Sequence, residues 1–428
     1  MNFFRQLHQF MMAGAKAQAQ WELEMSTNIL KSRKRLLVLG LLLLPVIVGG
    51  MCFADDIGSA LPSFIGGKSA YGPSHYSNLV FGASILVGLC AGLITGCIGA
   101  GGGFIIAPAL MSVGVKGILA VGTDLFHIFA KAIMGSVLHR KMGNISTGLA
   151  VTFLVGAIGG STVGGYINRA LYDKNPVLSD AFITTIYVFM LGFLAFYALA
   201  DWAKTARKKT APTKEAGAKK LAEEIPPIGK ALQRVNIPPM ITFDEGVTPG
   251  GRRISAIFLV LCGFIVGLTA AIMGVGGGFL TFPMFVYGLG VSSMTTVGTD
   301  IFQIVFTAGY ASISQYAIYG FIFYTLAMGM LLGSLIGIQI GSIVTKVVHG
   351  TTIRAFYAVT VSAGFFNRAC ALPAKLTKMG YIKMGPDTLK ILDTIGTIGF
   401  FVIIVIFAVW VFYSFFSNLN VLRSEEVH

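Results

Sequence analysis

Long apolar runs separated by short polar segments dominate the chain from residue 36 onward. Several of these runs reach about 20 residues, the length that an α-helix needs to cross a bilayer. Continuous runs, rather than ten-residue stretches of alternating polarity, favour helices over a membrane β-barrel. The pattern therefore predicts an all-α polytopic membrane protein with roughly 10–12 membrane segments. These segments are expected at residues 36–54, 79–98, 104–115, 118–138, 147–168, 180–200, 254–273, 279–290, 292–316, 321–345, 353–372 and 391–416.

The composition agrees with this pattern and limits the possible functions. Mean hydropathy is +0.77, and 55% hydrophobic against 12% charged residues is far from the balance of a soluble domain. The net charge of +14 is concentrated beside apolar runs, which favours anionic lipid at basic loops, rather than nucleic acid, as the partner. The five cysteines form no CxxC pair, and the sequence contains no catalytic motif. We therefore predict no enzymatic activity, no catalytic residue, no metal site and no cofactor, and leave a homo-oligomer open.

The polar segments predict an orientation in the membrane. Residues 1–35 are interpreted as an amphipathic helix on the membrane surface followed by a basic flank, with a solvent-exposed helix as the alternative. The run 36–54 is interpreted as an uncleaved first transmembrane span with the N-terminus inside, although a cleaved signal peptide stays open. The linker 201–253 is polar and rich in lysine and arginine, so it is expected in the cytoplasm. We predict a multi-pass protein of a bacterial inner membrane.

The apolar region contains an internal duplication. Gly-Ala-Gly-Gly-Gly-Phe at 99–104 recurs as Gly-Val-Gly-Gly-Gly-Phe at 274–279, and Val-Gly-Thr-Asp at 121–124 recurs at 297–300. The spacing between copies grows from 175 to 177 residues along the repeats, as expected for a duplication with two small insertions. The first copy follows the predicted first span, so it starts outside, and it ends at the cytoplasmic linker. It must therefore cross the membrane an odd number of times. The second copy then starts inside, and the two copies are expected to have inverted orientations in the membrane. The predicted repeats are residues 79–200 and 254–372, followed by a last span at 391–416.

The duplicated glycines predict an anion-binding turn in each repeat. Three glycines break the preceding helix, and the short apolar segment after them restarts one. The unpaired N–H groups at a helix start carry partial positive charge and need a partner inside a membrane. We therefore expect an anion between the two turns, with tight helix packing by the glycines as the alternative. The turn residues are Gly101, Gly102, Gly103 and Phe104 in the first repeat, and Gly276, Gly277, Gly278 and Phe279 in the second.

A polar helix face follows each Val-Gly-Thr-Asp motif. Asp124, His127 and Lys131 are spaced i, i+3 and i+7, which places them on one side of a helix that must cross the bilayer. A lysine near the middle of a span costs about 2.5–3.5 kcal/mol, so it should face a cavity or a partner. His127 and Lys131 are therefore candidate anion ligands, unless Asp124 pairs with them and only joins helices. The aligned face in the second repeat consists of Asp300, Gln303 and Thr307, so it keeps the acid and loses the cations. Gln303 is a candidate substrate-binding residue on this face. A threonine, Thr123 or Thr299, directly precedes each acid.

The doubled glycine turn, the proline four residues after each phenylalanine and the doubled Val-Gly-Thr-Asp motif resemble the TauE/SafE family of sulfite exporters. The resemblance covers residues 79–372. It implies a transporter that exports a small anion, sulfite or a short organosulfonate, by alternating access. It also implies substrate contact by the turns 101–104 and 276–279 and by Thr123, Asp124, Thr299 and Asp300. Two alternatives stay open: an importer or permease of another small anion such as a carboxylate, and a membrane-embedded enzyme.

Overall fold

The computed structural model describes residues 78–98, 102–141, 145–208, 227–244, 251–344, 348 and 350–418. The surface helix and first span predicted for residues 1–54 lie outside these ranges, as do residues 209–226 of the linker. Within the described ranges, the predicted apolar segments of the first repeat coincide with helices. These are α1 (Asn78–Ile98), α2 (Gly103–Ser112), α3 (Gly117–Lys141), α4 (Thr147–Lys174) and α5 (Pro176–Lys208).

The linker and the second repeat follow. The described part of the linker forms a short helix, α6 (Pro227–Gln233), and an antiparallel hairpin of β1 (Met240–Phe243) and β2 (Arg252–Ser255). The helices of the second repeat are α7 (Ala256–Met273), α8 (Gly278–Pro283), α9 (Ser293–Tyr310), α10 (Tyr324–Val344) and α11 (Gly350–Lys378), and the last helix is α12 (Pro386–Ser417). π-helical turns extend α8 over Met284–Leu289 and α9 over Ala311–Tyr316.

Helix length and composition confirm the prediction of an all-α membrane protein. In the described part of the chain, α4, α5, α7, α10 and α12 each contain a stretch long and apolar enough to cross a bilayer. α1 is apolar over Phe81–Cys97, and α2 is apolar but only 10 residues long, so it can cross about half of the hydrocarbon core. α3 has 25 residues, and its charged face lowers its hydropathy.

The two repeats interlock through their first and fourth helices. α1 packs along α10, and α7 packs along α4, so the first helix of each repeat lies against the fourth helix of the other. Glycines make these contacts close: a methyl group on Gly156 or Gly160 of α4 would overlap the carbonyl oxygens of Val260 and Phe264 on α7. Gly333 of α10 approaches the backbone of α1 in the same way. The glycine ladders therefore serve helix packing, as small residues do between membrane helices.

Helix directions confirm that the repeats are inverted. α3 and α9 occupy equivalent places in the two copies and pack together. They run antiparallel, because Gly122 faces Tyr316 while Phe129, two turns later, faces Gly309. α5 and α11 form a second antiparallel pair of equivalent helices. Equivalent helices pack antiparallel only across a two-fold axis perpendicular to them, and for membrane helices that axis lies in the membrane plane.

Candidate functional site

The glycine-rich turns of the two repeats meet inside the helix bundle. After the first turn, the chain reverses and α2 runs back beside α1, with Gly102 packed against Ala91. A methyl group built on Gly103 would lie 2.9 Å from the Cα atom of Val275, which belongs to the turn of the second repeat. The structure therefore brings together the two turns that the sequence predicts as an anion site.

Glycine is required in these turns for two different reasons. In the second repeat the reason is conformational, since Gly274, Gly276 and Gly277 have φ values of +80°, +69° and +87°, in the left-handed region that other residues rarely adopt. In the first repeat the reason is space. A methyl group on Gly102 would lie 2.8 Å from the carbonyl oxygen of Ala91. A larger side chain at Gly102 would push α2 away from α1, whereas one at Gly103 or Gly276 would meet Val275 or Ile128 of the opposite repeat.

In this conformation the described part of the turns is closed to solvent. Gly102, Gly103 and Gly276 are buried, and the buried ring of Phe104 packs edge-on against Tyr357 with centroids 6.0 Å apart. A cavity of about 240 Å³ between α1, α2 and α12 is lined by apolar side chains, so it offers no polar group to an anion. Gly101 and the side chain of Phe279 lie outside the described residues.

Each acid of the Val-Gly-Thr-Asp motifs lies beside the first residue of the short helix in its own repeat. A methyl group on Gly103 would be 3.3 Å from Asp124 Oδ2, and one on Gly278 would be 3.0 Å from Asp300 Oδ2. A carboxylate is favourable at the positive end of a helix. The two acids therefore partly neutralise the helix starts at which the sequence predicts an anion. An anion bound there needs a further positive charge.

Lys131 on α3 places such a charge next to the first turn. Its side chain is half-buried, and its Nζ donates to Thr95 Oγ1 of α1 at 3.5 Å. Thr95 itself borders the turn, because a methyl group on Gly102 would lie 2.9 Å from its Oγ1. A ligand at the turn would therefore lie near the ammonium group, and anion binding by Lys131 stays a prediction.

His127 and Asp124 form a buried pair between Lys131 and the second repeat. His127 Nε2 shares a hydrogen bond of 2.9 Å with Ser334 Oγ on α10, and His127 Nδ1 lies 3.5 Å from Asp124 Oδ1. Within the described residues, neither carboxylate oxygen of Asp124 has a hydrogen-bond partner of good geometry. Buried polar atoms are normally satisfied, and exceptions cluster at functional places. Both the ligand role and the pairing role that the sequence allows for this face remain compatible with these distances.

The equivalent face of α9 carries an acid but no cation, and its polar side chains bond to one another. Thr307 Oγ1 donates to Gln303 Oε1 at 2.7 Å, and Gln303 Nε2 donates to Asp300 Oδ1 at 2.9 Å. All three side chains are buried. The polar faces of α3 and α9 therefore occupy equivalent positions in the two repeats but differ in charge. The cationic groups of the two faces all belong to the first repeat.

The two threonines before the acids bind backbone groups of the opposite repeat. Thr123 Oγ1 accepts from Phe323 N at 3.0 Å, directly before α10, and Thr299 Oγ1 accepts from Ser146 N at 3.0 Å, directly before α4. These equivalent bonds attach the polar-face helices to the starts of the interlocked helices. Substrate contact by Thr123 and Thr299 stays a prediction, and their visible role is to hold the two repeats together.

Acidic side chains also hold the starts of both polar-face helices. Asp180 Oδ1 accepts from Gly117 N at 2.7 Å, at the start of α3, and Asp244 Oδ2 accepts from Ser292 N at 2.9 Å, just before α9. Each acid also makes an ion pair with a neighbouring element, Asp180 with Lys375 of α11 and Asp244 with β2. The linker hairpin is thereby tied to the second repeat.

Three neighbours of the site could not be predicted from the sequence. Thr95, Ser334 and Tyr187 lie on three different helices, and the Tyr187 hydroxyl donates to the carbonyl of Met273, next to the second glycine turn. No spacing along the chain relates them to α3, since only packing brings them together. No group of three or more His, Cys, Asp or Glu side chains suited to a metal ion occurs among the described residues.

Comparison with known proteins gives relatives of one kind. The family model for Sulfite exporter TauE/SafE matches residues 84–367. The probable membrane transporter protein YunE of Bacillus subtilis is 23% identical over 278 residues, which are 63% of this chain and 90% of that protein. Sulfite exporter TauE/SafE family protein 6 of Arabidopsis thaliana is 32% identical over 115 residues, 25% of this chain and 27% of that protein. No solved structure matches the chain.

Proposed function

The chain is a membrane transporter that belongs to the sulfite exporter TauE/SafE family, and from this premise we propose that it exports a small oxyanion, sulfite or a short organosulfonate. One observation carries the proposal: the two glycine turns meet across the axis of the inverted repeats, with Gly103 against Val275. In carriers built from inverted repeats, helices broken near mid-membrane meet at the substrate site. We place the anion at this junction.

The charge that holds the anion comes mainly from Lys131. The starts of α2 and α8 contribute partial positive charge, but Asp124 and Asp300 lie beside them. An ammonium group in a low-dielectric site attracts an oxyanion strongly, and its hydrogen bonds to charged oxygens are stronger than those to neutral ones. Gln303 and Thr307 on α9 add neutral polar groups near the junction. This arrangement favours a small anion with several oxygens.

Alternating access follows from the inverted frame. The described turns are buried, so we interpret this conformation as closed around the site. Movement of one repeat against the other would open the junction to one side at a time. α3 and α9 are anchored at their starts by Asp180 and Asp244. When one repeat moves against the other, these two hydrogen bonds must either move with the helices or break.

The membrane potential favours the export direction. Each negative charge that leaves a cell with a negative interior releases about 2.3 kcal/mol per 100 mV. An exporter of a sulfite-like anion therefore needs no coupled ion, whereas an importer needs coupled protons or sodium. We propose uncoupled export on this ground.

The proposed orientation puts the linker in the cytoplasm of a bacterial cell and the loop before α12 outside. Asn236 in the linker and Lys383 in that loop are both exposed, and the five helices of the second repeat separate them. In a cysteine-free background, Asn236→Cys should react with an impermeant maleimide only from inside, and Lys383→Cys only from outside. Labelling of both from the same side would refute the odd number of crossings.

Anion flux in proteoliposomes tests the function itself. Purified protein should release radiolabelled sulfite from loaded vesicles faster than protein-free vesicles do, and an inside-negative potential should accelerate the release. Unlabelled organosulfonates should compete, while short carboxylates should compete weakly. Preferred carboxylate flux would move the protein to the alternative of a carboxylate permease. Absence of flux for every anion would overturn the transport proposal for this class of substrate.

A further inference from the structure

A buried arginine lies near the far end of α2, away from the glycine turns. Arg368 of α11 is only 2% exposed and is the largest of the fully buried side chains in the described part of the chain. Its Nη2 donates to Ser112 Oγ at 2.6 Å, and its Nε donates to Asn367 Oδ1 at 2.8 Å. Both acceptors are neutral. The guanidinium makes no ion pair with a carboxylate of the described residues, although Asp180 and Asp393 lie in the same region.

Two groups at this place keep unused hydrogen-bond donors. No described residue accepts a hydrogen bond from Nη1 of Arg368 or from the amide nitrogen of Asn367. Ser112 orients the arginine, since it accepts from Nη2 while its own hydroxyl donates to the carbonyl of Pro108 at 2.8 Å. A buried cation without a counter-ion is costly inside a membrane protein, where most such charges are paired or serve a ligand.

The arginine is close to the path that an anion must take from the central turns. Gly364, one helical turn before Arg368 on α11, packs against the carbonyl of Phe104 in the first turn. Ser112 ends the short helix that begins at this turn. Asp180 and Lys375, which pair with each other at 3.6 Å, mark the same end of the bundle. In the proposed orientation this end faces outside.

We infer that Arg368 and Asn367, held by Ser112, form a second binding site for the exported oxyanion between the central turns and the outer surface. This inference rests on the proposed function. The two N–H groups of Nη1 donate to an oxyanion such as sulfite or a sulfonate, and the amide nitrogen of Asn367 supplies a further donor. The site receives the anion after it leaves Lys131, so it sets the affinity measured from outside.

A structural role is the competing explanation, because Arg368 also lies at the negative end of the α2 helix dipole. The two roles differ in what they change. A purely structural arginine affects the stability of the anion-free protein. A ligand-binding arginine changes the external anion concentration that gives half-maximal exchange. Both quantities can be measured on the same purified variant.

The test is exchange of radiolabelled sulfite in proteoliposomes, with the external concentration varied. Arg368→Gln should raise the half-saturating external sulfite concentration about tenfold or more, as expected for loss of a charged hydrogen bond. Arg368→Lys, which keeps the charge but not the planar guanidinium, should give a smaller rise. Arg169→Gln is the matched control. Arg169 is a cation near the same end of the bundle, bonded to Gln315 and stacked on Tyr319 at 4.2 Å, and its loss should leave half-saturation unchanged.

Each outcome decides between the proposals. Should Arg368→Gln fail to fold, Ser112→Ala carries the test, with a rise of about threefold for the loss of one positioning hydrogen bond. Folded variants with the half-saturation of the wild type, alongside wild-type flux, overturn the outer site alone. No flux in the wild-type protein overturns the proposed function and the outer site with it.

Discussion

Replacement of Gly103 by valine is expected to reduce sulfite flux strongly while the helices still insert in the membrane. The side chain would enter the junction of the two turns, where even its first carbon would lie 2.9 Å from the Cα atom of Val275 and from the Cδ1 atom of Ile128. Overpacking of this kind typically costs about 1–3 kcal/mol, and at a junction between moving repeats it also displaces the site. We expect a flux reduced at least about tenfold.

Gly82→Val is the matched control for this variant. Gly82 lies on α1, in the same repeat, and no atom is found within 4 Å of a methyl group at this position. This control should retain wild-type flux and the wild-type elution volume in size-exclusion chromatography. Wild-type flux in folded Gly103→Val protein would show that the close approach of the turns is not part of the site.

Lys131→Gln is expected to give the second large loss of flux. The change removes the positive charge next to Thr95 and the first turn, where we place the anion. Loss of a charged hydrogen bond costs about 1.5–3 kcal/mol, equivalent to roughly 10–150-fold in affinity. Initial rates of sulfite release from loaded proteoliposomes measure this loss.

The double variant Asp124→Asn with Lys131→Gln separates anion binding from charge pairing. If Lys131 only neutralises Asp124, removal of both charges should restore flux together with thermal stability, since no buried charge is left unpaired. If Lys131 binds the anion, the double variant should regain stability but not flux. Restored flux in the double variant would assign Lys131 to helix pairing and remove it from the site.

The arrangement of the helices was predictable because it depends on patterns that span many residues. The glycine motifs recur with a spacing of 175–177 residues. The polar linker between the copies is expected in the cytoplasm, which requires an odd number of membrane crossings in the first repeat. Inversion follows from these two facts, and the antiparallel packing of α3 against α9 agrees. The hairpin in the linker was not predicted from the sequence. Asp244, which follows its first strand, accepts a hydrogen bond from the backbone just before α9.

Individual side-chain roles were less predictable because they depend on packing between distant helices. The polar face of α3 could be identified from its i, i+3, i+7 spacing, but its contacts with Thr95 and Ser334 could not. The family resemblance implies that Thr123 contacts substrate, and the structure shows its hydroxyl bound to a backbone N–H of the other repeat. Arg368 lies in the predicted segment 353–372, but its burial and its bond to Ser112 of α2 could not be predicted, because only packing brings these helices together.

The position of a bound anion in a crystal would show whether the two glycine turns and Lys131 form the substrate site. Selenite has the shape and charge of sulfite, and its selenium atom gives an anomalous signal that marks its place in a crystal. We expect a selenium peak beside the junction of the turns, next to Gly102 and Gly103 and within contact distance of Lys131 Nζ. A structure in saturating selenite with an empty junction, and with peaks confined to the protein surface, would contradict it.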